Sequence, residues 1–218
     1  MQVETITAAV KKYSFGQAVN CYVLSAGSSA KHVVVVDPGT SIEPIRAKVG
    51  ERTIDAIILT HRHIDHTYAL EDLRDVWETG GAPVYVHELE KESVVKELRR
   101  HDEEPLATDI EPALVGVQHD DVLEIAGITL TVMLTAGHSA GSMCLYSEQD
   151  NVLLSGDTLF KMTSGRTDLA SGSHGQMRSS LRLLATLPDE TIVYPGHGPS
   201  TTIAFERDHA FKEYGWFF

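Results

Sequence analysis

At 218 residues and 42% hydrophobic composition, the chain is long enough to build one large domain around a sizeable core. Acidic residues outnumber Lys and Arg by 31 to 18, for a formal net charge of −13, and no basic cluster stands out, which argues against a phosphate-backbone partner. No apolar run approaches the roughly 18 residues of a membrane span, the opening MQVETITAAVKKYSF lacks the apolar centre of a signal peptide, and Cys21 and Cys144 lie in apolar stretches that suit buried, reduced thiols. The expectation is a cytoplasmic protein that acts on a small molecule, with neither a nucleic-acid nor a membrane partner and with its oligomeric state left open.

Taken in order, the opening reads as strands at Val3–Val10, Val19–Ser25 and Val33–Val36, and four consecutive valines predict a strand buried on both faces. Asp37-Pro38-Gly39 is a turn. A short helix follows from Ser41 to about Gly50, and Ile54–Leu59 is a strand that runs straight into a histidine-rich loop. Further helices are expected at Tyr68–Glu78 and Glu88–Arg100, with a strand at Val84–His87 between them. The polar stretch from His101 to Asp121, with Pro105 and Pro112, reads as an irregular surface excursion. Strands return at Leu123–Ile125, Ile128–Leu134, Ser142–Tyr146 and Val152–Leu154. A helix at Ser180–Leu187, a strand at Thr191–Tyr194 and a helix at Ile203–Tyr214 complete the chain. Two groups of strands, each followed by helices, fit two sheets packed face to face with helices outside, and the lack of a linker or repeat points to one domain over residues 1–218.

The chemistry concentrates in Thr60–His66. His61, His63, Asp65 and His66 fall within six residues directly after an apolar strand. A loop with that spacing can fold several ligands around one point, and imidazole nitrogens with carboxylate oxygens suit zinc. Partners are expected at the ends of other strands, and the pattern of apolar strand, glycine, ligand recurs three times: Gly137-His138, Gly156-Asp157 and Gly196-His197. Glycine lets the chain turn sharply and approach a site closely. The seven ligand-type residues suffice for two metal ions with positions left open for water and substrate, which marks a catalytic site. Zinc is the foremost candidate, with iron or manganese as alternatives. The two cysteines have no ligand-like spacing, so a zinc finger is a poor reading. Of the remaining histidines, His174 in Gly172-Ser173-His174-Gly175 is the one retained as a candidate pocket residue.

His61-Arg62-His63-Ile64-Asp65-His66 matches the HxHxDH motif of the metallo-β-lactamase superfamily, and His138, Asp157 and His197 match its later motifs in order. Within that superfamily the chain resembles the short bacterial relatives of glyoxalase II, the hydroxyacylglutathione hydrolases, through Asp37-Pro38-Gly39, Gly156-Asp157-Thr158-Leu159-Phe160 and Tyr194-Pro195-Gly196-His197-Gly198. The resemblance implies an α+β fold, an αββα sandwich of two mixed sheets flanked by helices. It places His61, His63 and His138 on one metal, Asp65, His66 and His197 on the other, Asp157 between them, and Asp37 behind the ligands as an orienting carboxylate. Thioester hydrolysis is the implied reaction, by attack of metal-activated water on the carbonyl, with Asp65 also orienting the water and handling its proton.

Only 21 residues follow His197, whereas glyoxalase II carries a further helical region that helps bind glutathione. Arg166 is the nearest counterpart of the basic residue that contacts glutathione there, with a surface pairing to Asp168 as its plainer role. Tyr68 stands where a glycine-containing stretch usually follows, and it is expected to narrow the pocket. Persulfide dioxygenases resemble the chain in the same motifs and would use a single iron on His61, His138 and Asp157. A nuclease or a β-lactamase of the same superfamily fits the acidic charge and the expected location less well.

Overall fold

The computed structural model describes residues 1–8, 18–101 and 110–213. Its frame is two six-stranded mixed sheets. The first contains β1 (Gln2–Ala8), β2 (Val19–Ser25), β3 (His32–Val36), β4 (Thr53–Ile58), β5 (Val84–His87) and β6 (Leu114–Val117) in chain order. β1 to β3 pair antiparallel, and β3 to β6 pair parallel. The second contains β7 (Val122–Ile125), β8 (Ile128–Leu134), β9 (Met143–Ser147), β10 (Val152–Gly156), β13 (Ile192–Pro195) and β14 (Thr201–Thr202), with β10 and β13 parallel and the other pairs antiparallel. Between β10 and β13 the chain adds a small hairpin of β11 (Leu159–Phe160) and β12 (Thr163–Ser164).

Side chains alternate across each strand, so a strand buried on both faces feeds two layers. Val34 and Val36 join Tyr22, Leu24 and Ile58 in the core between the sheets, against Leu130, Val132, Leu145 and Leu154 of the second sheet. Val33 and Val35 point the other way, with Cys21 and Val23, and pack under α1 (Ile42–Val49) through Ile45 and Val49. Farther along that outer face, Ile57, Val84 and Val86 are covered by Leu70, Leu73 and Trp77 and by Val94, Val95 and Leu98 of α3 (Lys91–His101). The outer face of the second sheet, Met133, Cys144, Leu153 and Val193, is covered by α4 (His174–Leu184), α5 (Ile203–Arg207) and α6 (Ala210–Glu213). The layers are helix, sheet, sheet, helix, as the resemblance implies.

Several expected elements differ. Where a single helix is expected at Tyr68–Glu78, the chain has a 3-10 turn at Tyr68–Leu70 and a π turn at Asp75–Thr79, preceded by one α turn, α2 (Ile64–Thr67). The segment's local bonds switch between turn types, as with Leu73 N on Ala69 O at 3.0 Å and Gly80 N on Asp75 O at 2.8 Å, while Ala69 N donates outside the segment to Pro38 O at 2.8 Å and Leu70 O accepts from the Trp77 side chain, Nε1, at 2.8 Å. The stretch expected to be irregular from His101 to Asp121 contains β6, paired with β5 from Val84↔Leu114 to His87↔Val117. Of its residues, 102–109 lie outside the described ones, as do Ala9 and Val10 of the first expected strand and Tyr214 of the last expected helix. That last helix is two short ones. α4 begins six residues before the expected Ser180, capped by Ser173, whose Oγ accepts from Gln176 N, and it ends at Leu184 instead of Leu187. Among the described residues, no helix is long and apolar enough to cross a membrane.

Candidate metal centre

β4, β8, β10 and β13 all deliver their carboxyl ends to one edge of the sandwich, and each hands over ligand-type residues there. His61 follows β4; His63 precedes α2; Asp65 and His66 lie on it. His138 follows β8, Asp157 follows β10 and His197 follows β13. The sheets are pinned together beside these residues by Met143 N, which donates to Thr60 O at 2.9 Å.

Two glycines permit the crowding. Gly156 holds φ +48°, and a Cβ there would strike the Thr60 side chain. A Cβ on Gly196 would run into Asp157 Oδ1 and His66 Cε1.

All seven residues read from the sequence converge. His61, His63 and His138 form one group that could hold an ion, Asp65, His66 and His197 a second, and His61, His66 and Asp157 a third between them, the donor atoms of each group lying within 4.8 Å of one another. His138 Nε2 lies 2.8 Å from His63 Nδ1, and His66 Nε2 lies 3.4 Å from His197 Nε2. Asp157 sits centrally, with Oδ1 3.3 Å from His66 Nε2 but outside hydrogen-bond geometry, and Oδ2 3.4 Å from His138 Nε2 and 3.6 Å from His197 Nε2. His61 is fully buried, and its Nε2 has no hydrogen-bond partner among the described residues. An orphaned buried imidazole nitrogen amid three other histidines is costly unless something else takes its lone pair. The nitrogen and oxygen donors fit a divalent transition metal on this ground.

The ring nitrogens facing away from the centre are held by the protein. Asp37 Oδ2 lies 2.9 Å from His66 Nδ1, and Asp37 also accepts from Thr60 N and Thr60 Oγ1, both at 2.7 Å. Thr60 Oγ1 is 3.1 Å from His61 Nδ1. His138 Nδ1 faces Arg166 O at 2.8 Å, and His197 Nδ1 faces Ala18 O at 2.7 Å. Such contacts fix ring orientation and leave the other nitrogen to a metal.

The charge environment divides the histidines. Burial and the neighbouring imidazoles hold His61 well below the usual histidine range, and burial, His138 and Arg62 bring His63 down to about 3. Burial also opposes charge on His66, but the Asp157 and Asp37 carboxylates outweigh it and raise His66 well above that range. His197 is raised as well, burial being outweighed by its bond to Asp65 and the charge of Asp157. Burial would push Asp157 and Asp65 up; the facing histidines bring both below the usual carboxylate range. The carboxylates thus face the centre as anions, ready to meet cations in place of protons.

The remaining candidates lie differently. The Arg166 guanidinium is exposed and makes a two-pronged pair with Asp168 at 2.7 and 2.8 Å, while its backbone carbonyl orients His138. Tyr68 is half-buried, directly after α2. His174 is exposed at the start of α4.

Sequence reading missed the supports of His197. Asn20 Nδ2 donates to Pro195 O at 2.9 Å and Gly198 O at 2.8 Å, Asn20 N donates to Gly196 O at 2.8 Å, and Tyr22 Oη donates to Pro195 O at 2.5 Å. These partners lie more than 170 residues apart in sequence, and a polar Asn in an otherwise apolar strand was their only local signal. Arg62 and Glu90, a buried ion pair at 3.1 Å, were missed too.

Fold and site together define a metal-dependent hydrolase. The family model described as the metallo-beta-lactamase superfamily matches residues 15–197. The chain belongs to that superfamily. It is 40% identical over 204 residues to an uncharacterised protein of Mycobacterium leprae (strain TN), covering 86% of this chain and 90% of that one. A protein of Streptococcus pyogenes serotype M6 described as a probable metallo-hydrolase is 36% identical over 185 residues, 81% of this chain and 78% of that one. A hydroxyacylglutathione hydrolase of Bartonella quintana is 37% identical over 152 residues, 70% of this chain but only 52% of that enzyme. Among solved structures, the BLEG-1 B3 metallo-beta-lactamase superposes with a TM-score of 0.80 at 34% identity, over 95% of this chain and 97% of that one. TTHA1623 in a di-iron-bound form gives 0.74 at 28% identity, over 95% and 98%.

Proposed function

We propose that the chain is a dinuclear hydrolase of thioesters such as S-acyl-glutathione, acting on a small molecule in the cytoplasm. The observation that carries this reading is the convergence of all seven ligand-type residues into two adjoining groups with Asp157 central. His61, His63 and His138 would hold one ion, Asp65, His66 and His197 the other, and Asp157 would bridge. Divalent cations bound there would lower the pKa of water and polarise a carbonyl. Asp65, half-buried with Oδ2 3.4 Å from His197 Nε2, would orient the attacking water and accept its proton. Asp37 and Thr60 hold the rings of His66 and His61, which would pre-orient them for the ions.

Zinc leads for the N/O donor set, and the di-iron form of TTHA1623 supports iron as the alternative. The single-iron dioxygenase reading would use His61, His138 and Asp157 of the same cluster and leave the Asp65–His66–His197 group without an ion, so the metal count separates the two readings. The likeness to BLEG-1 favours one second reading, β-lactam hydrolysis, which asks the same centre to attack an amide instead of a thioester.

The test is a panel of acyl-thioesters, glutathione and non-glutathione, beside a β-lactam and a glutathione persulfide with oxygen uptake, all on metal-loaded protein. Thioester hydrolysis that disappears in His61→Ala and Asp157→Ala, both folded, is the expected result. Turnover of the β-lactam alone would establish the second reading, and thioester turnover retained in a folded, metal-depleted Asp157→Ala protein would refute the mechanism.

A further inference from the structure

Arg62 lies between two ligand histidines, yet the roles above leave it without a task. It is 8% exposed, and Glu90, its partner, is fully buried. Burying both charges is expensive unless they are paired and further hydrogen-bonded, and here their partners come from three separate stretches of chain. Arg62 Nη1 donates to Glu90 Oε2 at 3.1 Å and to Ser171 Oγ at 3.0 Å, and Nη2 donates to Ala170 O at 2.6 Å. Glu90 Oε1 accepts from Gly141 N at 2.7 Å, and Ser171 Oγ also accepts from Ala140 N at 3.3 Å.

The two stretches gripped in this way flank His138. On one side, the turn from Gly137 to Ser142 is closed by Gly137 N on Ser139 O and by Ser139 N on Ser142 Oγ. On the other, the stretch from Gly165 to Ser173 supplies Arg166 O to His138 Nδ1, and Ser173 N donates to Gly137 O at 2.8 Å. The pair tethers both, Arg62 directly to Ala170 and Ser171 and Glu90 to Gly141, and Arg62 is the immediate neighbour of His61 and His63. His63 Nδ1 and His138 Nε2, which meet at 2.8 Å, therefore hang from opposite ends of one network.

We propose that the buried Arg62–Glu90 pair is a positioning clamp that sets the His61–His63–His138 half of the metal centre relative to the other half. This rests on the metal-dependent reading above and adds residues outside the ligand set. The planar guanidinium is what the geometry requires, because it serves Glu90, Ser171 and Ala170 from two nitrogens at once, a fork that a lysine ammonium cannot reproduce.

The experiment is metal titration of the full chain, with the visible absorption of the cobalt(II)-loaded protein and a thermal unfolding curve, for wild type, Arg62→Met, Arg62→Lys and Ser171→Ala. Arg62→Met is expected to weaken one of the two metal-binding steps about 10- to 100-fold, as loss of an orienting contact does, while the other step stays near wild type and the cobalt spectrum changes. Arg62→Lys should recover part of the affinity but not the spectrum. A folded Arg62→Met protein with both binding steps and the cobalt spectrum of wild type would overturn the clamp. Should Arg62→Met fail to fold, Ser171→Ala decides: it keeps the ion pair and removes both gripping contacts of Ser171 Oγ, to Arg62 Nη1 and Ala140 N, so an altered cobalt spectrum supports the clamp and an unaltered one overturns it. Wild-type protein that binds no metal would instead refute the metal-centre reading and the clamp with it.

Discussion

Asp37 holds a backbone φ of 50°, a conformation that Asp and Asn tolerate better than most residues, and from there it reaches Thr60 and His66 with both carboxylate oxygens. Asp37→Asn keeps the backbone and the shape while removing the charge that steers His66. The expected outcome is metal affinity lowered about 10- to 100-fold in a protein with an unchanged circular dichroism spectrum, read by titration with a chelating indicator. Gly196→Ala tests the opposite kind of support. Its new methyl would collide with Asp157 and His66, so metal content should fall sharply while the sheets still form. At this scale the ligands were legible because they cluster after one strand or follow glycines at the ends of three others. Asn20, Tyr22, Arg62 and Glu90 were not, because each acts through a partner distant in sequence and none carries a motif of its own. Arg166 pairs its guanidinium with Asp168, the plainer of the two roles read for it, and its backbone carbonyl faces His138 Nδ1.

The elements that position the site are strands, and their patterns were plain where both faces are buried. The valine run of β3 divides between the inter-sheet core and the layer under α1, as four apolar residues in succession require. The segment after the histidine motif was read as one helix because its apolar residues, Leu70, Leu73 and Trp77, follow helical spacing, whereas its local bonds change from 3-10 to π turns and one N–H and one carbonyl are taken by Pro38 O and the Trp77 indole. α4 was placed late because Gly172 and Gly175 read as loop, although Met177, Ser180, Leu181 and Leu184 trace a buried face at helical intervals. β6 hid in a polar stretch because only Leu114 and Val117 of its four residues are buried. Stability and chemistry should separate at this scale. Leu145→Ala in β9, fully buried between the sheets, is expected to cost about 2–5 kcal/mol in denaturant unfolding while leaving metal content per folded chain unchanged.

For the whole molecule, the two sheets are joined by an apolar core and bear the ligands at one shared edge, so ions bound there would tie β4 and α2 of one half to the ends of β8, β10 and β13 of the other. Stripping them with a chelator should lower the unfolding midpoint. Binding at a free-metal concentration a hundred times Kd contributes about 2.7 kcal/mol, or about 5 to 10 °C for a chain of this length, and re-addition of metal should restore it in calorimetry. The net charge of −13, which disfavours a phosphate-backbone partner, is also consistent with a centre that gathers cations. The most direct test is elemental analysis of the purified protein, counting metal per chain in wild type and in Asp157→Ala. The dinuclear account predicts two divalent transition-metal ions per wild-type chain and a marked loss in the variant. A single iron with no second ion, or a metal content untouched by removal of Asp157, would contradict it.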